Sequence, residues 1–331
     1  MYLYTEKGIV CGASVFKAEL SDFFGIVVQR EKIDPHLFYC DIMQISTGKT
    51  NKGMKLHGCV GRHKNVLQCP IGAKGFYFLI RFQVTNEFAF VPNFHNNASW
   101  FDMKLLIDST TKDTNVSVSN TTYAKQIMLG CKEAGCFSNH QVHLGRVQGT
   151  MQAELEEDDM DQTRYLWNWD PKTQEKSYST KLPLQAMRRR AGFLDERSYH
   201  CNPQTVKDPS EELQKMIFPW LDVAFKSFHS NVDSANQKGT AGQWLKSIKM
   251  MQIIILQDAA AMYALHPSRM NHQLFHVIAV FKTKEFQSYC TEMKEWLSEA
   301  EDPLNTSIEL ALPGVNNRLN EISNDRQKCT R

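Results

Sequence analysis

Residues 37–61 read LFYCDIMQISTGKTNKGMKLHGCVG. The run from Leu37 to Ser46 is rich in aromatic and β-branched side chains, which suit a pleated, half-buried surface, and it predicts a strand. Leu56 to Gly61 predicts a second strand. Between them, Thr47 to Gly53 (TGKTNKG) supplies Gly, Asn and Thr, the chemistry of a hairpin turn. An antiparallel hairpin with Lys49 near its tip is therefore expected.

Working outward, the remaining patterns are mostly helical. Upstream, Phe16, Leu20, Phe23 and Phe24 recur at helical spacing and predict a helix over 15–24. Downstream, an apolar face predicts a helix over 71–83, and the Asn- and Phe-rich stretch 84–98 reads as loop. Further helices are expected over 123–134 (stopped by Gly135), over 143–155, and as a short basic helix over 181–191 ended by Gly192. The segment Cys201 to Ser210 (CNPQTVKDPS) combines two prolines with turn residues and is the best boundary in the chain. Beyond it, helices are expected over 211–229, 242–265, 284–300 and 306–322. The expected fold class is α+β, mostly helical, with a small antiparallel sheet. Residues 1–200 would form one domain, and 201–331 a helical C-terminal extension packed on it.

The chain has 331 residues, of which 42% are hydrophobic, enough to bury a sizeable core. The greasiest stretch, Met250 to Leu256 (MMQIIIL), is far shorter than the roughly 20 apolar residues a membrane span needs. It predicts a buried helix, with Trp244, Ile248, Met251 and Ile255 on the core side, and no membrane partner. The net charge of +2 does not announce a nucleic-acid binder. Its distribution says more: residues 1–200 carry 24 basic and 21 acidic residues, and six of those acids crowd into Glu154 to Asp161 (ELEEDDMD). A basic surface interrupted by one acidic loop is compatible with a phosphate-binding face. Nine cysteines, with no CxxC pair, read as free thiols of a reducing compartment. No cofactor-binding motif is present, and Cys131, Cys136, His140 and His143 have the wrong spacing for the common zinc knuckles.

Four features carry chemistry, in one order. Lys49 sits in the hairpin turn. His143 and Arg146 (HLGR) place an imidazole and a guanidinium three residues apart on one helix face. Trp169 follows, and Tyr178 lies nine residues after it. A tyrosine hydroxyl can attack a phosphodiester and hold it as a covalent phosphotyrosine. Charge building on the phosphorane oxygens needs fixed guanidinium and imidazole donors. The leaving oxygen needs a proton, which a lysine on a hairpin can supply. Each residue alone has a plainer reading: a solvated lysine, a chance HxxR, a core tryptophan, a surface tyrosine. Two basic clusters add to the set. Arg62-His63-Lys64 closes the second strand, and Arg188-Arg189-Arg190 ends a helix, where the macrodipole alone favours cations. The expected DNA-contacting residues are Lys49, Arg62, Lys64, Arg146, Arg188 and Arg189.

The order Lys49, His143–Arg146, Trp169, Tyr178 resembles that of tyrosine recombinases and type IB topoisomerases. The segments AELSDFF (18–24), GKTN (48–51), RHK (62–64), HLGR (143–146), AGF (191–193) and IFPWLD (217–222) look closer still to one fungal family. That family is the second domain of the DNA-binding subunit of the point-centromere complex, related to the recombinases of Crypton transposons. The resemblance implies a tyrosine-recombinase-like fold, double-stranded DNA as partner and a nuclear location. It also implies a second arginine ahead of the hairpin, where this chain has Cys11, and a thiol cannot give the bidentate, always-charged clamp of a guanidinium. Leu166-Trp167-Asn168 likewise departs from the usual Leu-Gly-Arg before the tryptophan. The upstream helical domain with which such recombinases clamp DNA is expected to have no counterpart in this sequence. The expected function is thus duplex DNA binding by a recombinase-derived domain without efficient strand cleavage, alone, as a homo-oligomer or with other subunits of a DNA complex. The rivals are an active Crypton-like recombinase and a protein-interaction module whose DNA face has decayed.

Overall fold

The computed structural model describes residues 3–5, 8–10, 23–29, 38–45, 56–86, 88, 91–108, 111, 113–133, 187, 189–193, 202–205, 207–230 and 240–299. The described part is mostly helical. Two short strands, β1 (Leu3–Thr5) and β2 (Gly8–Val10), pair antiparallel. A three-stranded antiparallel meander follows: β3 (Phe23–Gln29), β4 (Phe38–Ile45) and β5 (Leu56–Gly61), in that spatial order. The β4–β5 register runs from Cys40 opposite Gly61 to Ile45 opposite Leu56. The connection that carries Lys49 lies outside the described residues. The helix expected over 15–24 is corrected at its end, because Phe23 and Phe24 open β3. The β-branched run Ile26-Val27-Val28 packs better on a pleated surface than in a helix and decides the state of the aromatics before it.

Helix α1 (Pro70–Leu79) begins with Pro at its first position and the Cys69 sulfur accepting the Gly72 N–H at 3.3 Å. It ends in a π turn at Ile80–Val84. Buried Arg81 leaves that turn to donate to the carbonyls of Lys104 and Leu105 at 3.0 and 2.7 Å, which ties down the irregular segment 91–108. Helix α2 (Asn120–Glu133) follows it. After position 210 come α3 (Glu211–Ile217), α4 (Leu221–Ser230), α5 (Thr240–Leu265), α6 (Gln273–Val277) and α7 (Lys284–Glu299). The single helix expected over 211–229 is in fact two. Pro219 has no N–H to continue the ladder, and Phe218 leaves the helical conformation, at φ −135 and ψ 80, with its side chain buried in the core.

Helix α5 is the axis of the fold, packed against α1, α3, α4, α7 and β3. Trp244, Ile248, Met251 and Ile255 are all fully buried on it, as the periodicity predicts. By length and composition this one described helix could cross a membrane, but its apolar side chains are spent on the protein's own core. Glycines let α1 approach it. A Cβ on Gly75 would lie 2.9 Å from Ile255 Cγ1, and one on Gly72, a turn earlier on the same face, 1.9 Å from Asp258 Oδ2. Beside this crossing, Phe82, Phe88, Phe94, Trp100, Trp220 and Trp244 form a continuous aromatic cluster, with Phe94 stacked on Trp244 at 5.1 Å. One hydrophobic core therefore takes in residues on both sides of the boundary expected at 201–210. That segment is itself packed: Asn202 and Gln204 are buried, and the Lys207 carbonyl accepts from the Tyr289 hydroxyl at 2.7 Å.

Candidate nucleic-acid interface

Of the residues the sequence singles out, Lys49, His143, Arg146, Trp169, Tyr178, Cys11 and Arg188 lie outside the described residues. Arg62, Lys64 and Arg189 are described, and the fold brings their segments to one corner.

Strand β5 delivers the chain to Arg62, whose side chain turns inward and is only 1% exposed. Its Nη1 donates to Gln257 Oε1 at 2.7 Å and its Nη2 to Asp258 Oδ1 at 2.6 Å. The expectation that Arg62 meets DNA is corrected on this ground. Both terminal nitrogens are bound inside the core, and withdrawing them would strand the Asp258 carboxylate in a dry environment. Burial pushes the Asp258 carboxyl up, and the adjacent guanidinium pulls it back. Burial raises the nearby Cys69 thiol to about 12, so it is no nucleophile at neutral pH, and raises the Tyr289 hydroxyl as well. The interior behind the corner is a fastening, not a reaction centre.

The next three residues turn outward. His63 is half-buried, and its Nδ1 accepts the Asn65 N–H at 2.9 Å. Burial lowers the imidazole pKa, the Asn65 carbonyl pulls it up, and the Lys64 charge adds to the lowering. Asn65 then caps the 3-10 turn Val66–Gln68 by accepting from Leu67 N at 2.9 Å. From behind, Asn202 Nδ2 donates to the carbonyls of Arg62 and His63 at 3.3 and 3.1 Å, and Gln204 Nε2 donates to that of His63 at 3.3 Å. The Lys64 side chain is exposed.

The second basic segment docks on this turn. Met187, Arg189 and Arg190 are helical, with Ala191 N bonded to Met187 O at 3.0 Å and Gly192 N to Arg189 O at 2.9 Å. Gly192 stands at φ +89, the left-handed conformation that ends helices and that L side chains resist. Lys64 N donates to Ala191 O at 2.9 Å, joining the two segments backbone to backbone. Lys64, Arg189 and Arg190 thus share one corner with the His63 imidazole, and the three cations can serve as donors for an anionic polymer. A separate hollow of about 240 Å³ is lined by Phe88, Trp100, Asp102 and Asn115 among others. Its ionisable lining group is the Asp102 carboxylate, the wrong sign for phosphate.

Sequence reasoning missed the fastening residues Asn202, Gln204, Gln257 and Asp258. One signal was available: Gln257-Asp258 interrupts an apolar helix, and a carboxylate on such a face demands a buried cationic partner.

Residues 9–287 match the sequence profile of the family described as centromere DNA-binding protein complex CBF3 subunit, domain 2. The chain belongs to this family. No curated protein sequence matches it. The CBF3-subunit match takes in both halves of the basic corner and the whole span from Cys11 to Tyr178.

Proposed function

We propose that this chain binds duplex DNA through the corner carrying Lys64 and Arg189, extended by Lys49, His143, Arg146 and Arg188. In this reading the surface derives from a tyrosine-recombinase active site, and it works in the nucleus, as a homo-oligomer or with other subunits of a DNA-bound complex. The observation that carries the reading is the bond from Lys64 N to Ala191 O. It fastens two basic segments, distant in sequence, into one cationic corner in a member of a centromere DNA-binding family. Arg62 is left out of the contact set, because its charge is used inside the core.

Strand cleavage is inefficient in this reading. Tyr178 keeps its spacing to Trp169, but Cys11 stands where the recombinase-like pattern needs an arginine. Losing one preorganised donor costs about 10²–10³ in rate. Ground-state contacts to phosphate survive such a loss better than transition-state stabilisation does, which turns an enzyme into a binder.

The test is binding of the purified chain to random duplex at two salt concentrations. Affinity should fall steeply with salt, and Lys64→Ala should lower the slope of log K against log salt by about one. Binding indifferent to both salt and Lys64 would leave the protein-interaction module as the better reading.

A further inference from the structure

The chain at 62–65 is held from behind by the buried ion pair and by Asn202 and Gln204, and from the side by Ala191. The side contact has an unusual feature. A Cβ placed on Gly192 would sit 3.1 Å from three atoms at once: His63 Cε1, Lys64 Cγ and Lys64 Cε. Contacts that short are tighter than ordinary van der Waals packing. The close approach of Cγ and Cε together means that the lysine stem runs along the bare backbone of Gly192 rather than straight out into water.

We propose that Gly192 is a positioning residue for phosphate binding: its lack of a side chain lets the Lys64 stem lie across the end of the basic helix, so that the ammonium is held beside the Arg189–Arg190 turn before DNA arrives. The inference rests on the DNA-binding reading above. Its physical content is preorganisation. A free lysine loses rotamer freedom when it contacts a phosphate, whereas a stem already laid against Gly192 has lost much of it on folding. The backbone makes the same demand independently, since φ +89 is costly for residues with a Cβ. The requirement for glycine is therefore double, in conformation and in space, and the three atoms nearest the added Cβ all belong to His63 and Lys64.

The experiment is a double-mutant cycle in the full chain, read by DNA affinity with random duplex at about 0.1 M salt. Lys64→Ala should weaken binding roughly tenfold, the loss of about one released counterion. Gly192→Ala should weaken it about two- to tenfold, the cost of freeing one long side chain. On the Lys64→Ala background, Gly192→Ala should change affinity little, because no stem remains to be displaced. Gly192→Asn guards against a trivial backbone effect. Asparagine tolerates the left-handed region but carries a Cβ, so it should reproduce the loss in affinity with a smaller loss of thermal stability. Gly192 substitutions that cost the same with and without Lys64, or that cost nothing, would overturn the inference while leaving the DNA contact standing. Unchanged affinity in Lys64→Ala itself would sink the contact and the inference together.

Discussion

Nη2 of Arg62 lies 2.6 Å from Oδ1 of Asp258, joining the end of a sheet to the axis helix across 196 residues of sequence, with both side chains out of water. A pair of this kind contributes little net stability over an apolar isostere, but removing one partner strands the other. Asp258→Ala should destabilise the fold by about 3–5 kcal/mol, measured by urea unfolding. Adding Arg62→Met to the same chain should recover part of the loss, because no charge is then left unpaired. A double variant as unstable as the sum of the singles would refute the pairing.

The same helix supplies a purely apolar prediction. Ile255 is fully buried, with Cγ1 close against Gly75 of α1, and the crossing is too tight to collapse far. Ile255→Ala should cost about 2–5 kcal/mol, the transfer term plus the cavity left behind. A loss below about half a kcal/mol, the range of exposed sites, would mean that this face of α5 is not core.

Acidification should weaken the fold through His63. Burial holds its folded pKa below the value of about 6.5 expected of an unfolded histidine. As pH falls through that value the unfolded chain takes up the proton first, so stability drops on the acid side and is flat above it. The urea midpoint should therefore fall between about pH 7.5 and pH 5.5, and His63→Gln should reduce that fall. An unaltered pH dependence in the variant would assign the effect elsewhere.

The chemistry of Tyr178 can be tested directly. A nicked suicide duplex traps any phosphotyrosine, and the natural chain should give no detectable adduct. Cys11→Arg is the substitution expected to yield a trace, and Tyr178→Phe in that chain should remove it while leaving DNA affinity unchanged. A robust Tyr178-dependent adduct from the unmodified chain would promote the recombinase reading over the binder.

What was legible in the sequence was local. The runs Leu37 to Ser46 and Leu56 to Gly61 coincide with β4 and β5, and the apolar stripe through Trp244 and Ile255 coincides with the buried side of α5, because period and composition are properties of adjacent residues. The aromatics Phe23 and Phe24 misled because spacings of three and four also occur by chance at the mouth of a strand. Pro219 was visible, but the apolar pattern on either side carried the reading through it. At the candidate site, nothing in Arg62-His63-Lys64 says which of three basic neighbours turns inward. That choice is made by Asp258, a partner reached only after most of the fold is built.

The crossing of α1 on α5 has a consequence for the newborn chain. Ile71, Phe76, Phe78 and Leu79 belong to the same core as α5 and emerge from the ribosome long before residues 240–265 are made. At about 5–20 residues per second, synthesis leaves that apolar surface waiting for roughly ten to forty seconds. The amino-terminal half therefore cannot mature in order of appearance. The core cannot close until α5 has been made, and the interval is a window for chaperone capture.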